Sequence, residues 1–190
     1  MKDNELLVQL VDEMDNPIGT MNKLEAHINP ALHRAVSVLV FNSAGHWLLH
    51  RRAAGKYHSP CLWTNACCTH PYPGEDHDYA AQRRLKEEMG MGSVNELTHI
   101  FDFVYRAKVD EKLTEYEYDR VFTYISDEVP DPHPDEVDDW RYISTNDTQY
   151  CSDLRCGSCG LRSPDNSQYI YKVNAVDYYL LTCCTAFLQK

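Results

Sequence analysis

A mainly β-branched and apolar stretch, AVSVLVFN, occupies residues 35–42. Such a stretch is typical of a buried strand. Residues 43–45 (Ser-Ala-Gly) have turn character, and HWLLHRR at 46–52 returns to an apolar pattern. The sequence therefore predicts a β-hairpin whose first strand is buried.

The rest of the chain alternates between helical and strand-like segments. Residues 76–89 predict a helix, and Gly90 is a suitable residue to end it. Residues 99–109 and 115–126 are aromatic-rich and strand-like, and they can pair across a turn. Further predictions are an acidic, Pro-rich surface loop at 127–139, a short strand at 140–144 and an amphipathic helix at 173–187. This mixture predicts an α+β domain, and 190 residues suit one domain, 1–190.

The composition of the chain excludes some classes of function. A formal net charge of -11 argues against nucleic acid as a partner, because a phosphate backbone requires a basic surface. No apolar run is long enough to cross a membrane, and the first residues lack the features of a signal peptide. We therefore expect a cytoplasmic protein without a membrane partner, in which the eight cysteines are reduced.

The segment WTNACCTHP, residues 63–71, combines thiols with an imidazole. Pro71 favours an extended backbone at His70, and in an extended segment side chains alternate. Cys68 and His70 would then lie on one side and Cys67 on the other. A thiol beside an imidazole can be activated or can share a metal. The alternative is a loop that contains a buried pair of cysteines.

A second cluster is acidic. Glu115 and Glu117 share one face of a strand, with Asp119 beyond them. Carboxylates on one face repel each other unless a cation or a shared proton intervenes, although the solvated face of an edge strand explains the pattern equally well. His27 and His33 flank Pro30 on what reads as an irregular loop. They are either surface residues or, with His70 and the two glutamates, ligands of Mn, Mg or Zn.

Six basic residues, a third of the 18 Lys and Arg, stand among these motifs. Arg binds phosphate through two hydrogen bonds, and Lys acts as a point charge. Arg83 and Arg84 also stand four residues before Glu87 and Glu88, so they can form ion pairs on a helix surface. Both roles are compatible. The six are Lys23, Arg51, Arg52, Lys56, Arg83 and Arg84.

Residues 69–91 resemble the Nudix box. That box reads Gly, five residues, Glu, seven residues, then Arg-Glu-apolar-any-Glu-Glu-any-Gly-apolar. This chain supplies Glu75, Arg83, Glu87, Glu88 and Gly90 in register, but it has Thr for the first Gly and Arg84 for the Glu after the Arg. In Nudix hydrolases the carboxylates of that helix gather metal on a pyrophosphate, and here a cation replaces one of them.

With this departure, the chain resembles the type I isopentenyl diphosphate isomerases, a Nudix-fold family. The motifs that carry the resemblance are Lys23-Leu-Glu-Ala-His27, Leu32-His33-Arg34-Ala35, Arg51-Arg52-Ala53 with Lys56, Trp63-Thr64-Asn65, Cys68-Thr69-His70-Pro71, Tyr105-Arg106-Ala107 and Glu115-Tyr116-Glu117. The resemblance implies a Nudix-like mixed sheet layered between helices. It also implies conversion of isopentenyl diphosphate to dimethylallyl diphosphate, by protonation and deprotonation through a tertiary carbocation, in a monomer or weak homodimer.

The resemblance assigns a role to each matching residue. Cys68, Glu117 and Tyr105 would be catalytic, and Lys23, Arg52, Lys56 and Arg84 would bind the diphosphate. One tightly bound divalent metal would be held by His27, His33, His70, Glu115 and Glu117. A second ion, Mg, would arrive with the diphosphate at Glu88, helped by the carbonyl of Cys68. Tyr169 would replace a tryptophan that covers the carbocation in the family.

Two other functions fit parts of the sequence. A Nudix pyrophosphohydrolase would act on a nucleotide or prenyl diphosphate, and Arg84 argues against it. A zinc-binding interaction module would use Cys151, Cys156 and Cys159, although no fourth ligand is evident and ordinary loop cysteines are the favoured interpretation.

Overall fold

A computed structural model describes residues 6–56, 59–93 and 96–144. The helix expected at 173–187, Tyr169 and the cysteines at 151, 156 and 159 lie outside these ranges. The described strands and helices, in chain order, are β1 Leu7–Val11, β2 Pro17–Asn22, α1 Lys23–Ile28, β3 His33–Phe41, β4 His46–Arg52, β5 Trp63–Thr64, β6 Cys67–Thr69, α2 His77–Met89, β7 Thr98–Lys108, β8 Thr114–Ile125 and β9 Val137–Ser144.

All the described strands belong to one mixed sheet with β3 at its centre. The apolar run that the sequence marks as a buried strand is β3. It pairs in parallel with β8, from His33 opposite Glu117 to Phe41 opposite Ile125. It also pairs antiparallel with β1, β4 and β6, and β8 pairs antiparallel with β7. The α+β class and the two hairpins are confirmed.

Side chains alternate between the two faces of β3. Val36, Val38 and Val40 pack on one face against α2, which contributes Ala80, Ala81, Leu85 and Met89. Leu39 and Phe41 pack on the opposite face with Trp47, Leu49 and Val121. His33 and Ser37 occupy alternate positions in register with Leu39, so they share the face that α2 does not cover.

The acidic segment 127–139 differs from the sequence prediction. Its last residues are strand rather than loop, because β9 begins at Val137 and pairs with β4 as far back as Arg52. The remainder is bonded to the end of α2, where the amides of Asp131 and His133 donate to the carbonyls of Met89 and Glu88, each at 2.9 Å. The segment is therefore attached to the helix through its backbone.

Gly90 ends α2 in the left-handed conformation, with φ of 68°. A Cβ added there would lie 2.2 Å from the carbonyl oxygen of Asp131, and the backbone bonds just described hold that carbonyl in place. We expect Gly90→Ala to cost about 3 kcal/mol, from left-handed strain plus overpacking. That corresponds to a fall in Tm of roughly 10 °C for a domain of this size.

Thermal melting of Gly90→Ala beside Gly92→Ala checks this expectation. Gly92 has no left-handed φ, and a Cβ added to it meets nothing within 4 Å. Equal melting temperatures for the two variants would contradict the account of Gly90.

Candidate metal centre and active site

Three imidazoles and one carboxylate converge on the face of the sheet that α2 leaves open. One ligand atom from each of His27, His33, His70 and Glu117 can be chosen so that all four lie within 4.8 Å of one another. The ring centroids of the histidines are 4.9 to 5.4 Å apart. This donor set suits a divalent transition metal.

Different elements bring the four side chains together. His27 lies in the last turn of α1, His33 is the first residue of β3, and His70 directly follows β6. Glu117 on β8 stands opposite His33 in the parallel pairing. The expectation that His27 and His33 occupy an irregular loop is wrong. Asn22 caps α1 by accepting from the amides of Leu24 and Glu25, which makes the segment helical.

Backbone carbonyls orient two of the rings. Nδ1 of His27 lies 2.6 Å from the carbonyl oxygen of Lys23, and Nδ1 of His33 lies 2.7 Å from that of Ala31. Because a carbonyl can only accept, Nδ1 of each ring carries the hydrogen, and Nε2 keeps its lone pair. Nε2 of His33 is buried and has no hydrogen-bond partner among the described residues. A buried lone pair of this kind is suited to a metal.

Burial also favours the neutral form of two of the histidines, His33 and His70. It lowers the pKa of His33 and lowers that of His70 to about 3, although Glu117 acts in the opposite direction on both. Both imidazoles are therefore neutral near pH 7, which is the form that binds a metal. His70 Nε2 lies 3.1 Å from Oε1 of Glu117.

Tyr105 joins the cluster from β7, opposite Glu117. Its hydroxyl oxygen lies 2.5 Å from Oε2 of Glu117 and 3.2 Å from Oε2 of Glu115. Burial, followed by the charges of Glu117 and Glu115, raises the pKa of Tyr105, so the hydroxyl is protonated and donates. Glu115 is buried on the same face, but it is not one of the four grouped residues. Its role as a ligand stays a prediction.

The edge-strand explanation of Glu115 and Glu117 is wrong. β8 lies between β3 and β7, and the side chains of Glu115, Glu117 and Asp119 are buried. Burying three carboxylates on one face requires compensating partners. The arrangement therefore favours a binding site over a solvated surface.

The two adjacent cysteines on β6 face opposite ways, as alternation predicts. Cys67 is in the core against α2, and burial raises the pKa of its thiol well above the ordinary value. The sulfur of Cys68 is 2.9 Å from Oδ1 of Asn65 and 3.5 Å from Oγ of Ser37. Cys67 and Cys68 are free thiols, whereas Cys61 is disulfide-bonded, so the prediction of reduced cysteines is wrong for Cys61.

Sequence reasoning did not anticipate the role of Ser37. It pairs with Cys68 in the register of β3 and β6, and its hydroxyl donates to Asp119 at 2.7 Å. Because that hydroxyl proton is used, Oγ of Ser37 can only accept from the thiol of Cys68, whose single hydrogen otherwise goes to Oδ1 of Asn65. Ser37 lies inside an apolar run, one position out of step with the valines on either side of it. Alternation along a strand therefore places Ser37 on the face opposite to those valines, and this is the sequence signal that indicates its position.

The predicted diphosphate ligands divide into two groups. Lys23 begins α1, and its charge acts on the histidines of the metal cluster. Arg52, Lys56 and Arg84 lie near Glu88: burial raises the pKa of Glu88, while all three cations oppose that rise. Glu88 is buried and forms an ion pair with Arg84, so the predicted helix pair is also present. The other predicted pair joins Arg83 and Glu87 at 3.2 Å.

Glu136 is a second residue that the sequence did not single out. It accepts from both Lys56 and Arg84, although it belongs to a segment read as an acidic surface loop. No local pattern distinguishes it from the neighbouring carboxylates.

Among the described residues, no helix is both long and apolar enough to span a membrane.

Comparisons with known proteins agree with this geometry. The model of the NUDIX domain matches residues 31–154. "Isopentenyl-diphosphate Delta-isomerase 2" of Aromatoleum aromaticum is 50% identical over 148 residues, which cover 78% of this chain and 76% of that protein. The "Isopentenyl-diphosphate Delta-isomerase" of Pectobacterium atrosepticum is 48% identical over 140 residues, covering 74% and 77%.

Among solved structures, the crystal structure of DR0079 from Deinococcus radiodurans matches with a TM-score of 0.57 and 21% identity. That match covers 74% of this chain and 84% of that one, and it supports the fold alone. The two sequence relatives match this chain over most of their own length, so they support the more specific assignment within the family. The chain therefore belongs to the NUDIX family and, within it, to the isopentenyl-diphosphate Delta-isomerases.

Proposed function

We propose that this chain converts isopentenyl diphosphate to dimethylallyl diphosphate. The observation that carries the proposal is the buried cluster of His27, His33, His70 and Glu117, in which Glu117 also accepts a hydrogen bond from Tyr105. A Nudix hydrolase does not require this cluster, because its metals are held by carboxylates of the Nudix helix. Membership of the isomerase family agrees with the proposal.

The cluster fits a resident divalent metal. Nε2 of His27 and of His33 carries a lone pair, the imidazoles at positions 33 and 70 are neutral, and Glu117 contributes a carboxylate. His27, His33, His70 and Glu117 would hold the ion, and Glu115 would complete the set. The bound metal supplies a fixed positive charge that alters the proton affinity of Glu117. A second cation, brought by the diphosphate, would bind at Glu88.

The isomerisation moves one proton on and one proton off the carbon chain. A proton adds to the terminal alkene carbon, and a tertiary carbocation forms. A base then removes a proton from the carbon next to CH2–O, so no net proton is consumed. We assign these two tasks to Cys68 and to Glu117 on opposite faces of the substrate. Tyr105 is protonated and bonded to Glu117, so it can pass a proton to and from that carboxylate.

The diphosphate lies remote from the reacting carbons and supplies binding energy. Lys23, Arg52, Lys56 and Arg84 are the proposed contacts. Guanidinium groups bind phosphate oxygens through paired hydrogen bonds, and the lysine ammonium groups add point charges.

Arg84→Ala is expected to raise the Michaelis constant for the substrate by about one to two decades. A charge-assisted contact contributes about 1.5–3 kcal/mol, and each 1.4 kcal/mol corresponds to a factor of about ten. The turnover number should fall less, if the contact is equally strong in ground and transition states.

Steady-state kinetics beside a melting curve check the Arg84 prediction. The melting temperature should also fall, because Glu88 loses its ion-pair partner while still buried. A variant that melts earlier but keeps the normal Michaelis constant would remove Arg84 from the diphosphate site.

The activity itself is tested by incubating purified protein with isopentenyl diphosphate and a divalent cation. The expected product is dimethylallyl diphosphate, without release of inorganic phosphate or pyrophosphate. Phosphate release with no allylic product would indicate a pyrophosphohydrolase instead.

A further inference from the structure

We propose that Glu136 is a positioning residue for the substrate diphosphate, holding Lys56 and Arg84 side by side as one cationic pair. The inference rests on the proposed function, which assigns those two cations to the diphosphate. Glu136 does not itself contact the substrate in this account. It acts on the arrangement of the residues that do.

One oxygen of Glu136 accepts from both cations. Oε2 lies 3.1 Å from Nη2 of Arg84 and also accepts from Nζ of Lys56. The three side chains are shielded from water, with 20 to 23% of each exposed. Charges in such a setting interact more strongly than on an open surface. The bridge therefore joins the middle of α2, which carries Arg84, to the segment after β4, which carries Lys56.

The backbone keeps Glu136 in place from two directions. Its carbonyl accepts from the amide of Ala53 at 3.0 Å, and Val137 pairs with Arg52 on β4. Three residues earlier, the amide of His133 donates to the carbonyl of Glu88 on α2 at 2.9 Å. Glu136 is thus attached to the same two elements that carry Lys56 and Arg84, so its carboxylate has little freedom to follow either cation elsewhere.

Preorganisation is the physical benefit. Two cations close enough to share one oxygen repel each other, and a long lysine side chain has many alternative rotamers. Glu136 offsets the repulsion and reduces those alternatives before the substrate arrives. An incoming diphosphate then meets an assembled pair, so less conformational entropy is lost on binding. Without Glu136, Arg84 would keep its contacts with Glu87 and Glu88, and Lys56 would lose its anchor.

The sign of the effect separates this account from a simple count of charges. Removing a carboxylate beside an anion site should strengthen anion binding if only net charge matters. Positioning predicts the reverse. We expect Glu136→Gln to weaken the binding of magnesium pyrophosphate about tenfold, which is about 1.4 kcal/mol. The Michaelis constant for isopentenyl diphosphate should rise to a similar extent, with the turnover number changed by less than about threefold.

Glu87→Gln is the matched control. Glu87 also bonds Arg84, at 3.0 Å, but it has no contact with Lys56 among the described residues, and 45% of its side chain is exposed. The charge change is identical, so pyrophosphate binding should stay the same or become slightly tighter. In a Lys56→Met background, Glu136→Gln should have a much smaller effect, because residues that act together are not additive.

Calorimetric titration of the whole protein with pyrophosphate and magnesium measures these constants. Unchanged or tighter binding by Glu136→Gln would overturn the proposal, as would an equal loss in Glu87→Gln. If Glu136→Gln does not fold, Glu136→Asp decides, because it is one methylene too short to reach both cations. Weakened binding then supports the proposal, and unchanged binding overturns it. Failure of the wild-type protein to isomerise its substrate would refute the proposed function while leaving the pyrophosphate result valid.

Discussion

Cys68→Ala is expected to abolish isomerisation of isopentenyl diphosphate, whereas Cys67→Ala should retain most of the activity. A positioned acid or base typically contributes about 10²–10⁴-fold to a reaction rate. Because the alkene of the substrate is unactivated, the reaction depends strongly on its proton donor. The sulfur of Cys68 contacts Asn65 and Ser37 on the open face of the sheet. Cys67, one residue away, is packed in the core against α2.

The two cysteine variants control for each other. Cys67→Ala removes a buried sulfur and should cost about 1 kcal/mol of stability through a small cavity. Cys68→Ala should melt nearly as the wild type does. Turnover numbers measured beside melting curves therefore separate loss of chemistry from loss of fold. Full activity in Cys68→Ala, or greater loss in Cys67→Ala at a temperature where both are folded, would overturn the assignment of the thiol.

His70→Ala is expected to lose bound metal and activity together. Its Nε2 faces Glu117 within the cluster, and burial keeps the ring neutral. Even indirect partners of a metal contribute about 10–100-fold to its affinity, so loss of a direct ligand should cost at least about 100-fold. Activity should fall below detection, because without the metal the electrostatic field at Glu117, and with it the proton affinity of that carboxylate, is changed.

Elemental analysis after dialysis, with activity assayed on the same samples, checks this result. His46→Ala is the control, because His46 is exposed at the start of β4, beside Phe41 and therefore at the opposite end of β3 from His33. Added divalent metal should raise the Tm of the wild type and of His46→Ala but not that of His70→Ala, since a ligand stabilises only a protein that binds it. Metal-free protein working at the normal rate would contradict the metal centre. Glu115→Gln, in the same series, tests whether that carboxylate is a ligand.

Local patterns in the sequence were enough for most of the secondary structure. The β-branched run became β3, Gly90 ended α2, and the aromatic segments paired as β7 and β8. Side-chain alternation placed Cys68 opposite Cys67, and it placed Glu115 and Glu117 on one face. These features depend on steric and hydrogen-bonding preferences that extend over a few residues, and a single sequence records them directly. The residues proposed for catalysis came from resemblance to a family, not from local pattern.

Only the tertiary structure decided which of these faces became a site. Parallel pairing of β3 with β8 buried carboxylates that the sequence could equally leave on an edge strand, and it joined residues as far apart as Ser37 and Asp119, 82 positions along the chain. Capping of α1 turned His27 toward His33 and His70, where an irregular loop had been expected. Glu136 contacts Lys56 and Arg84 only because β9 pairs with β4 while the loop that precedes β9 is hydrogen-bonded to α2. Such contacts follow from burial and strand register over the whole sheet, which no short stretch of residues encodes.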